Sequence, residues 1–182
     1  NAGFACFGSI SEIIDDLKSH SEEEVINLIQ KRWHGLQLLR KNLGDDVIDF
    51  KPHGGYELFL KDDENTYAEC LQKLPFINDL LKPLFRTDVF AKEVDRFDFQ
   101  GIQDYVVFNP FEAQIDTGKM MNALLQKAVS GNILILNQAI VTSFRESNES
   151  VEVVVSDFSF KTKKLLFATN GFAGQLTDNQ VK

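Results

Sequence analysis

Apolar residues recur at helical spacing in two stretches near the start of the chain. Ser9 and Ser21 each stand three residues before a glutamate, which is the capping-box pattern in which serine and glutamate side chains satisfy free backbone N–H groups. Behind Ser21, apolar positions repeat every three or four residues as far as Leu43. Gly44 follows, where a helix end favours a residue that tolerates positive φ. The pattern predicts one helix after Ser9 and one long helix over residues 22–43.

The middle of the chain alternates short apolar runs with helical patterns. β-Branched and aromatic residues predict strands over residues 55–60, 89–94 and 105–109. Asp63 is placed to cap a helix over residues 64–73, and Pro75 suits the first turn of a separate short helix that ends at Leu81.

One more helix is predicted between Asp116, which caps it, and Gly131, which ends it. Six residues form its apolar face: Met120, Met121, Leu124, Leu125, Ala128 and Val129. We expect the two methionines to fill a core rather than to bind a metal.

The last third of the chain contains short strands separated by polar turns. They are predicted over residues 133–136, 138–144, 151–155, 158–161 and 164–168. Their order suggests one strand after the helix, then a small antiparallel meander, then a return strand. The whole chain therefore predicts a mixed α/β, or α+β, fold with long helices on the faces of sheets.

Composition narrows the range of functions. The 182 residues suffice for one domain or parts of two, and 43% apolar content excludes a disordered chain. A formal net charge of −8 argues against a nucleic-acid partner, and no apolar run is long enough to span a membrane. Two cysteines are too few for a disulfide framework, so we expect a reduced, cytoplasmic setting.

Motifs for hydrolysis, metal binding and phosphate binding are missing from the sequence. His20, His34 and His53 are widely spaced and fit packing, turn or surface roles, and no metal site is predicted. No Gly-x-Ser-x-Gly elbow surrounds a serine, and no glycine-rich loop has the spacing that cradles a phosphate. Catalytic residues therefore stay unassigned.

The stretch Leu165–Leu176 carries an apolar run directly into Ala168-Thr169-Asn170-Gly171. Asn-Gly is a strong hairpin signal, so one interpretation is a tight turn between paired strands. The other is a strand whose carboxyl end meets a ligand, where small residues let the backbone approach closely. The two interpretations differ in whether residues 170–171 contact protein or ligand.

Several segments, in order, resemble one family. Residues 166–172 (LFATNGF) resemble a strand end of FAD-dependent oxidoreductases of the D-amino-acid oxidase and glycine oxidase type. Residues 1–4 (NAGF) resemble the end of that family's S-x-x-N-A-G segment. Further matches are residues 116–120 and 128–131 with the D-P-x-K-L helix, 140–142 with the strand that passes the adenine, and 55–58 with a strand of the substrate domain. Thr117 stands where the family has proline, and the chain lacks the family's Gly-x-Gly-x-x-Gly loop.

The resemblance implies a fold and a function. Residues 1–43 and 112–182 would form part of a glutathione-reductase-like FAD-binding domain with a β-meander, and residues 44–111 part of an antiparallel-sheet substrate domain. The parent enzyme would oxidise a small-molecule amine or amino acid by hydride transfer to FAD. Because the chain starts at Asn1 and ends at Lys182 without a structural stop, we expect an internal fragment of a longer protein.

The resemblance also implies cofactor contacts. Asn1, Ala2 and Gly3 would approach the flavin or its diphosphate, and Val141 would offer its backbone to the adenine. Four further residues would line the cofactor near its ribityl or phosphate end: Ala168, Thr169, Asn170 and Gly171. Arg86 and Arg96 are candidates for substrate binding by location only, and we expect both to lie on the surface.

Without the phosphate loop, this fragment is expected to be inactive, colourless and free of FAD, because it lacks charge-assisted hydrogen bonds to the diphosphate. Two alternatives stay open, a non-catalytic module that binds a small ligand and an interaction domain with an exposed apolar face. The sequence leaves the oligomeric state open, a homo-oligomer included.

Overall fold

The computed structural model describes residues 2–156, 158–169, 174 and 176. Its first two helices begin where the sequence places caps. Ser9 and Ser21 each form the complete capping box, with hydrogen bonds in both directions to Glu12 and Glu24. Within the described residues the helices are α1 (Ile10–Ser19), α2 (Glu22–Leu43), α3 (Asp45–Ile48), α4 (Glu64–Phe85) and α5 (Thr117–Ser130). Gly44 follows α2 at φ +89°, so the predicted bounds of the long helix are confirmed.

Helix α4 corrects the prediction of two separate helices. It runs unbroken through Pro75 and Pro83. Its buried residues lie on both sides of Pro75: Cys70, Ile77, Asn78 and Leu81. Packing of one continuous stripe outweighs the single backbone hydrogen bond that an internal proline removes.

Eight short strands lie in the described part of the chain, and all pair antiparallel. They are β1 (Phe4–Ala5), β2 (Gly55–Glu57), β3 (Ala91–Val94), β4 (Tyr105–Asn109), β5 (Ala113–Gln114), β6 (Val141–Glu146), β7 (Val151–Val155) and β8 (Phe158–Thr162). They form three sheets, with the orders β1-β5, β2-β4-β3 and β6-β7-β8. The mixed α/β fold and the meander are as predicted.

Strands β2 and β3 are shorter than predicted, and β6 covers Val141–Glu146 rather than residues 138–144. Strand β2 ends at Glu57, and beyond it only Leu60 forms an isolated bridge, to Ile102. Strand β3 starts at Ala91 rather than at residue 89, because Asn78 binds the backbone that precedes it.

Two predicted strands are not formed. Residues 133–136 lie outside regular structure with all four side chains exposed, Leu134 at 81%. Residues 164–168 are also irregular, although the Phe167 ring contacts Phe144 of β6 at 5.3 Å between centroids. A continuous apolar run becomes a strand only beside a partner strand, and neither segment pairs with one in the described part of the chain.

The predicted apolar face of α5 contributes to a core only in part: Met120 packs against the smaller buried cluster around Ile48 and Ala113, as expected of a core methionine, whereas the rest of the face does not. The helix begins at its Asp116 cap as expected, since Asp116 Oδ1 accepts the Lys119 N–H at 2.9 Å. None of its residues is buried, and Met121 is 59% exposed.

The chain divides by contacts into two units: unit 1 is Asn1–Gly131 and unit 2 is Asn132–Lys182. The domain limits at residues 43 and 111 that the resemblance implies stay a prediction. Unit 1 contains both buried clusters. The larger packs α1, α2 and α4 against Phe59, Val89, Phe90 and Val107. The smaller surrounds Ile48 and Ala113 beside β1 and β5.

Asn78 joins α4 to the start of β3. Its side chain is 5% exposed, and its Oδ1 accepts the N–H groups of Val89 and Phe90 at 3.0 and 2.9 Å. Its Nδ2 donates to the Phe90 carbonyl at 2.8 Å. One amide therefore satisfies three buried backbone groups that no strand partner reaches.

Replacing Asn78 with alanine should destabilise unit 1 strongly. Removal of the amide leaves three buried backbone groups unpaired, so we expect the free energy of unfolding to fall by about 2–5 kcal/mol. Urea denaturation followed by circular dichroism measures it. The control is Asn122→Ala on the exposed surface of α5, for which we expect a change within about 0.5 kcal/mol. Equal effects of the two substitutions would contradict the role given to Asn78.

Candidate functional site

A cavity of about 270 Å³ lies in unit 1, where the N-terminal cap of α1 meets the sheet β2-β4-β3. We call it the Glu112 cavity. It is lined by Ser9, Gly55, Tyr56, Glu57, Leu58, Phe90, Val107, Asn109 and Glu112. It therefore combines an apolar wall with two carboxyl groups.

Glu112 is placed by the tight connection between β4 and β5. Its carbonyl accepts the Gly54 N–H at 3.0 Å, which ties the connection to the chain just before β2. Its carboxyl oxygen Oε1 accepts the Asn109 amide at 3.3 Å. Asn109 is 2% exposed, and its own Oδ1 accepts the Phe111 N–H at 3.0 Å. The carboxyl group is thus held by a buried amide that is itself fixed.

The Glu112 carboxyl rests directly on Gly55. A Cβ atom at this position would overlap the Glu112 carboxyl oxygen and would lie 2.6 Å from its Cδ and 3.1 Å from its Cβ. Gly55 pairs with Asn109 across β2 and β4, so the glycine and the amide hold the carboxyl from neighbouring positions. Glycine is needed here for space rather than for backbone conformation.

Burial is the main reason that the pKa of Glu112 lies above its usual value. The carboxylates of Glu57 and Glu12 raise this pKa further, and the Asn109 hydrogen bond lowers it. No cation is among the groups that act on this pKa. The electrostatic potential at the site is therefore negative, and only the Asn109 hydrogen bond stabilises the charged form of Glu112.

Glu57 projects from β2 towards α1. Its carboxylate accepts hydrogen bonds from the Ser11 hydroxyl and from the Ser11 N–H, the latter at 3.4 Å. Ser11 lies in the first turn of α1, where helix dipole and free N–H groups favour a negative charge. The first turn of α1 thus fixes the second carboxylate of the cavity.

Strand β1, which follows the predicted cofactor contacts Ala2 and Gly3, pairs with β5 just after Glu112. Phe4 and Ala5 pair with Gln114 and Ala113, which directly follow Glu112. Desolvation raises the pKa of the adjacent Cys6 thiol, and the Glu112 carboxylate raises it further. The segment after Gly3 therefore lies within electrostatic reach of the cavity.

Gly3 itself takes φ +92°, and its carbonyl accepts the Ile115 N–H at 2.8 Å. A Cβ atom on Gly3 would lie 2.9 Å from the Ile115 carbonyl oxygen. Ala2 is exposed, whereas Asn1 lies outside the described residues. The exposed Ala2 and the half-buried Gly3 thus form a segment of small residues directly before β1.

The other predicted cofactor contacts belong to unit 2. Val141 begins β6 beside a register shift in its pairing with β7. Ala168 and Thr169 are exposed and lie outside regular structure. Asn170 and Gly171 lie outside the described residues, so the choice between a hairpin and a ligand contact there stays a prediction.

The two candidate arginines are both exposed, as expected. Arg86 ends α4 in the left-handed region at φ +61°, which is a structural role. Arg96 hydrogen-bonds the Tyr56 hydroxyl and lies 5.5 Å from the centre of the Phe97 ring. Neither lines the Glu112 cavity.

The three histidines are exposed as well, in keeping with surface or turn roles. Within the described ranges, no group of three His, Cys, Asp or Glu side chains is arranged to hold a metal ion. None of the helices described there is long and apolar enough to cross a membrane.

Sequence reasoning did not identify Glu112 or Glu57 as site residues. A signal exists in residues 105–115, YVVFNPFEAQI, where Glu112 is the single charged residue in a mostly apolar run. Such an acid is buried beside a partner or lines a cavity. The Gly54-Gly55 pair is the second signal, because adjacent glycines often mark a close approach.

No protein-family model matches the chain, and no curated protein matches its sequence. Among solved structures, the fold is similar to that of a glycine oxidase from Geobacillus kaustophilus, with a TM-score of 0.65 and 13% identity. The similarity covers 97% of this chain and 46% of that chain, so this chain spans less than half the length of its neighbour. The likeness shows the fold: the chain has the architecture of part of a glycine oxidase.

Substitution of Gly55 by alanine should displace the Glu112 carboxyl. We expect a loss of about 1–3 kcal/mol in the free energy of unfolding, because the new methyl group overlaps that carboxyl. Gly35→Ala is the matched control, since no atom lies within 4 Å of the added Cβ in the middle of α2. It should stabilise the chain by about 0.5–1 kcal/mol. Chemical denaturation that shows the same sign for both substitutions would contradict the packing described.

The raised pKa of Glu112 predicts a pH dependence of stability. Because the folded state favours the protonated carboxyl, the wild type should lose stability relative to Glu112→Gln as pH rises from the ordinary glutamate pKa through the raised one. Denaturation curves recorded between about pH 4 and about pH 8 measure this difference. Glu149→Gln, in an exposed turn, removes the same charge as a control. The assignment would be contradicted if the free energy of unfolding of Glu112→Gln relative to the wild type were independent of pH, or if the advantage of Glu112→Gln grew as the pH fell.

Proposed function

We propose that this chain is part of an FAD-dependent oxidoreductase that oxidises an amine or an amino acid. In this class of reaction, bound FAD accepts a hydride from the carbon next to the substrate nitrogen. The residues of this chain would hold the cofactor and orient the substrate.

One observation carries the proposal, the structural likeness to a glycine oxidase along 97% of the chain. The short sequence motifs point to the same family, in the same order along the chain, and they do not depend on the fold. Sequence and fold therefore favour one class of protein. Fold alone does not fix chemistry, so the proposal also needs residues that suit the cofactor.

Several of the predicted cofactor contacts are exposed, so a flavin could reach them. Ala2, Ala168 and Thr169 are exposed and small, so a ligand can reach their main-chain atoms. Gly3 has a conformation that favours glycine, at the end of β1. These four residues would contact the cofactor, with Val141 offering its backbone; the diphosphate would be bound by polypeptide outside this chain.

The uncovered apolar side of α5 fits the same proposal. A helix with an apolar face normally buries it, yet no residue of α5 is fully buried, and of the six residues of its predicted apolar face only Met120 packs against a buried cluster of the described residues. The glycine oxidase neighbour is more than twice the length that the likeness covers. Further polypeptide of the parent protein would cover this face.

Flavin retention by the full-length protein tests the proposal. We expect the protein purified from its natural gene to be yellow, and its flavin absorbance to bleach when an amine or amino-acid substrate is added without oxygen, because the substrate hydride reduces FAD. The 182-residue chain alone should be colourless. A full-length protein that neither contains nor takes up FAD, measured by visible absorbance and by fluorescence after heat release, would refute the proposal.

A matched pair of variants in the full-length protein locates the contact. Thr169→Glu should weaken FAD binding by at least about tenfold, because a longer, negative side chain opposes a phosphate-bearing ligand. Asn148→Glu adds the same charge in an exposed turn and should leave binding unchanged. Equal FAD affinities of the two variants would show that Thr169 does not contact the cofactor.

A further inference from the structure

We infer that the Glu112 cavity binds a small organic ammonium ion with an apolar body, and that it disfavours a ligand carrying an α-carboxylate. The inference deepens the proposed function. It rests on that function only where it identifies the bound ammonium ion with the substrate of the enzyme. As a statement about binding, it depends on unit 1 alone.

The size of the cavity and its two kinds of wall suit such a ligand. A volume of about 270 Å³ accommodates a single ring or a short chain with one polar group. Leu58, Phe90 and Val107 contribute apolar surface, and Val107 and Phe90 also belong to the larger buried cluster. Glu57 and Glu112 provide the polar end. A molecule that is apolar at one end and cationic at the other matches both.

Charge is the second argument. No ion pair in the described part of the chain includes Glu57 or Glu112, although eight pairs are formed elsewhere in it. Arg32, the cation that acts on neighbouring Cys6, donates to the Phe7 carbonyl at 3.0 Å. A partly buried carboxylate without a cation is costly, and a bound ammonium ion would supply the missing charge.

The position of the carboxyl group is the third argument, because the fold holds it there. Asn109, buried at 2% exposure, donates to Glu112 Oε1, and Gly55 provides the space on which the carboxyl lies. The other oxygen, Oε2, lies against Gly55, and within the described residues no hydrogen-bond partner of it is found. A fixed carboxyl with one free oxygen can accept an N–H from a ligand without rearranging.

These features discriminate between the two substrate classes of the proposed function. An α-amino acid would bring a carboxylate close to Glu57 and Glu112, and the residues that line the cavity include no lysine or arginine, although the exposed Arg96 binds the hydroxyl of the lining residue Tyr56. Juxtaposed like charges lower affinity, so a simple amine should be preferred.

Isothermal titration calorimetry with benzylamine at neutral pH tests the inference on the 182-residue chain. Benzyl alcohol keeps the ring and lacks the charge, and phenylglycine adds an α-carboxylate to the same amine. We expect benzylamine to bind at least about tenfold more tightly than either. No heat of binding at millimolar benzylamine, or phenylglycine binding as tightly as benzylamine, would overturn the inference.

Variants link binding to the cavity. Glu112→Gln should weaken benzylamine binding by about tenfold or more, whereas Glu149→Gln should leave it unchanged. If circular dichroism shows that Glu112→Gln does not fold, Glu57→Gln serves in its place with the same expectation. Equal affinities of the wild type and a folded cavity variant would overturn the inference.

The outcomes for site and enzyme are distinguishable. Benzylamine binding without any flavin in the full-length protein would keep the ammonium site and end the oxidase proposal. If the full-length protein is a flavoprotein that oxidises amino acids but the 182-residue chain does not bind benzylamine, the oxidoreductase proposal is kept and the ammonium site is ruled out.

Discussion

The packing of the Glu112 carboxyl against Gly55 organises the candidate site in unit 1. Pairing of β2 with β4 places Gly55 opposite Asn109, and the buried amide of Asn109 then holds the carboxyl over the glycine. The chain continues directly into β5, which pairs with β1 and so brings the Gly3 segment alongside. One tight connection thus sets both the cavity and the segment that resembles a flavin contact.

The surrounding core makes this arrangement rigid. Rings of Phe7, Trp33, Phe85 and Phe111 pack together, with neighbouring centroids 4.7–6.1 Å apart. Phe111 directly precedes Glu112, so the aromatic cluster anchors the connection that carries the carboxyl. Dense packing of this kind resists small displacements, and an electronegative cavity at its edge therefore keeps its shape. Asn78 stabilises the start of β3 by satisfying backbone groups through a side chain.

Local signals in the sequence were sufficient for the starts of α1, α2 and α5, and insufficient for the continuity of α4, for the short helix α3 and for several strands. The capping boxes at Ser9 and Ser21 act within one turn, so the starts of α1 and α2 could be predicted from neighbouring residues. Strand formation depends on a distant partner, and the runs at residues 133–136 and 164–168 are irregular in the absence of one among the described residues. Pro75 suggested a break because its local effect was visible, whereas the stripe that carries α4 across it depends on tertiary packing. Glu112 could not be identified for the same reason, since its importance comes from Asn109 and Gly55 meeting across a sheet.

The fold is similar to part of a glycine oxidase, and the proposed cofactor contacts are residues with small side chains. The central claim is that these residues contact FAD in the parent protein. A crystal structure of the full-length protein grown with FAD tests it most directly. The account predicts flavin density in contact with Ala2–Gly3 and with Ala168–Thr169. FAD-free density, with residues 168–171 forming a hairpin between paired strands away from Gly3, would contradict it.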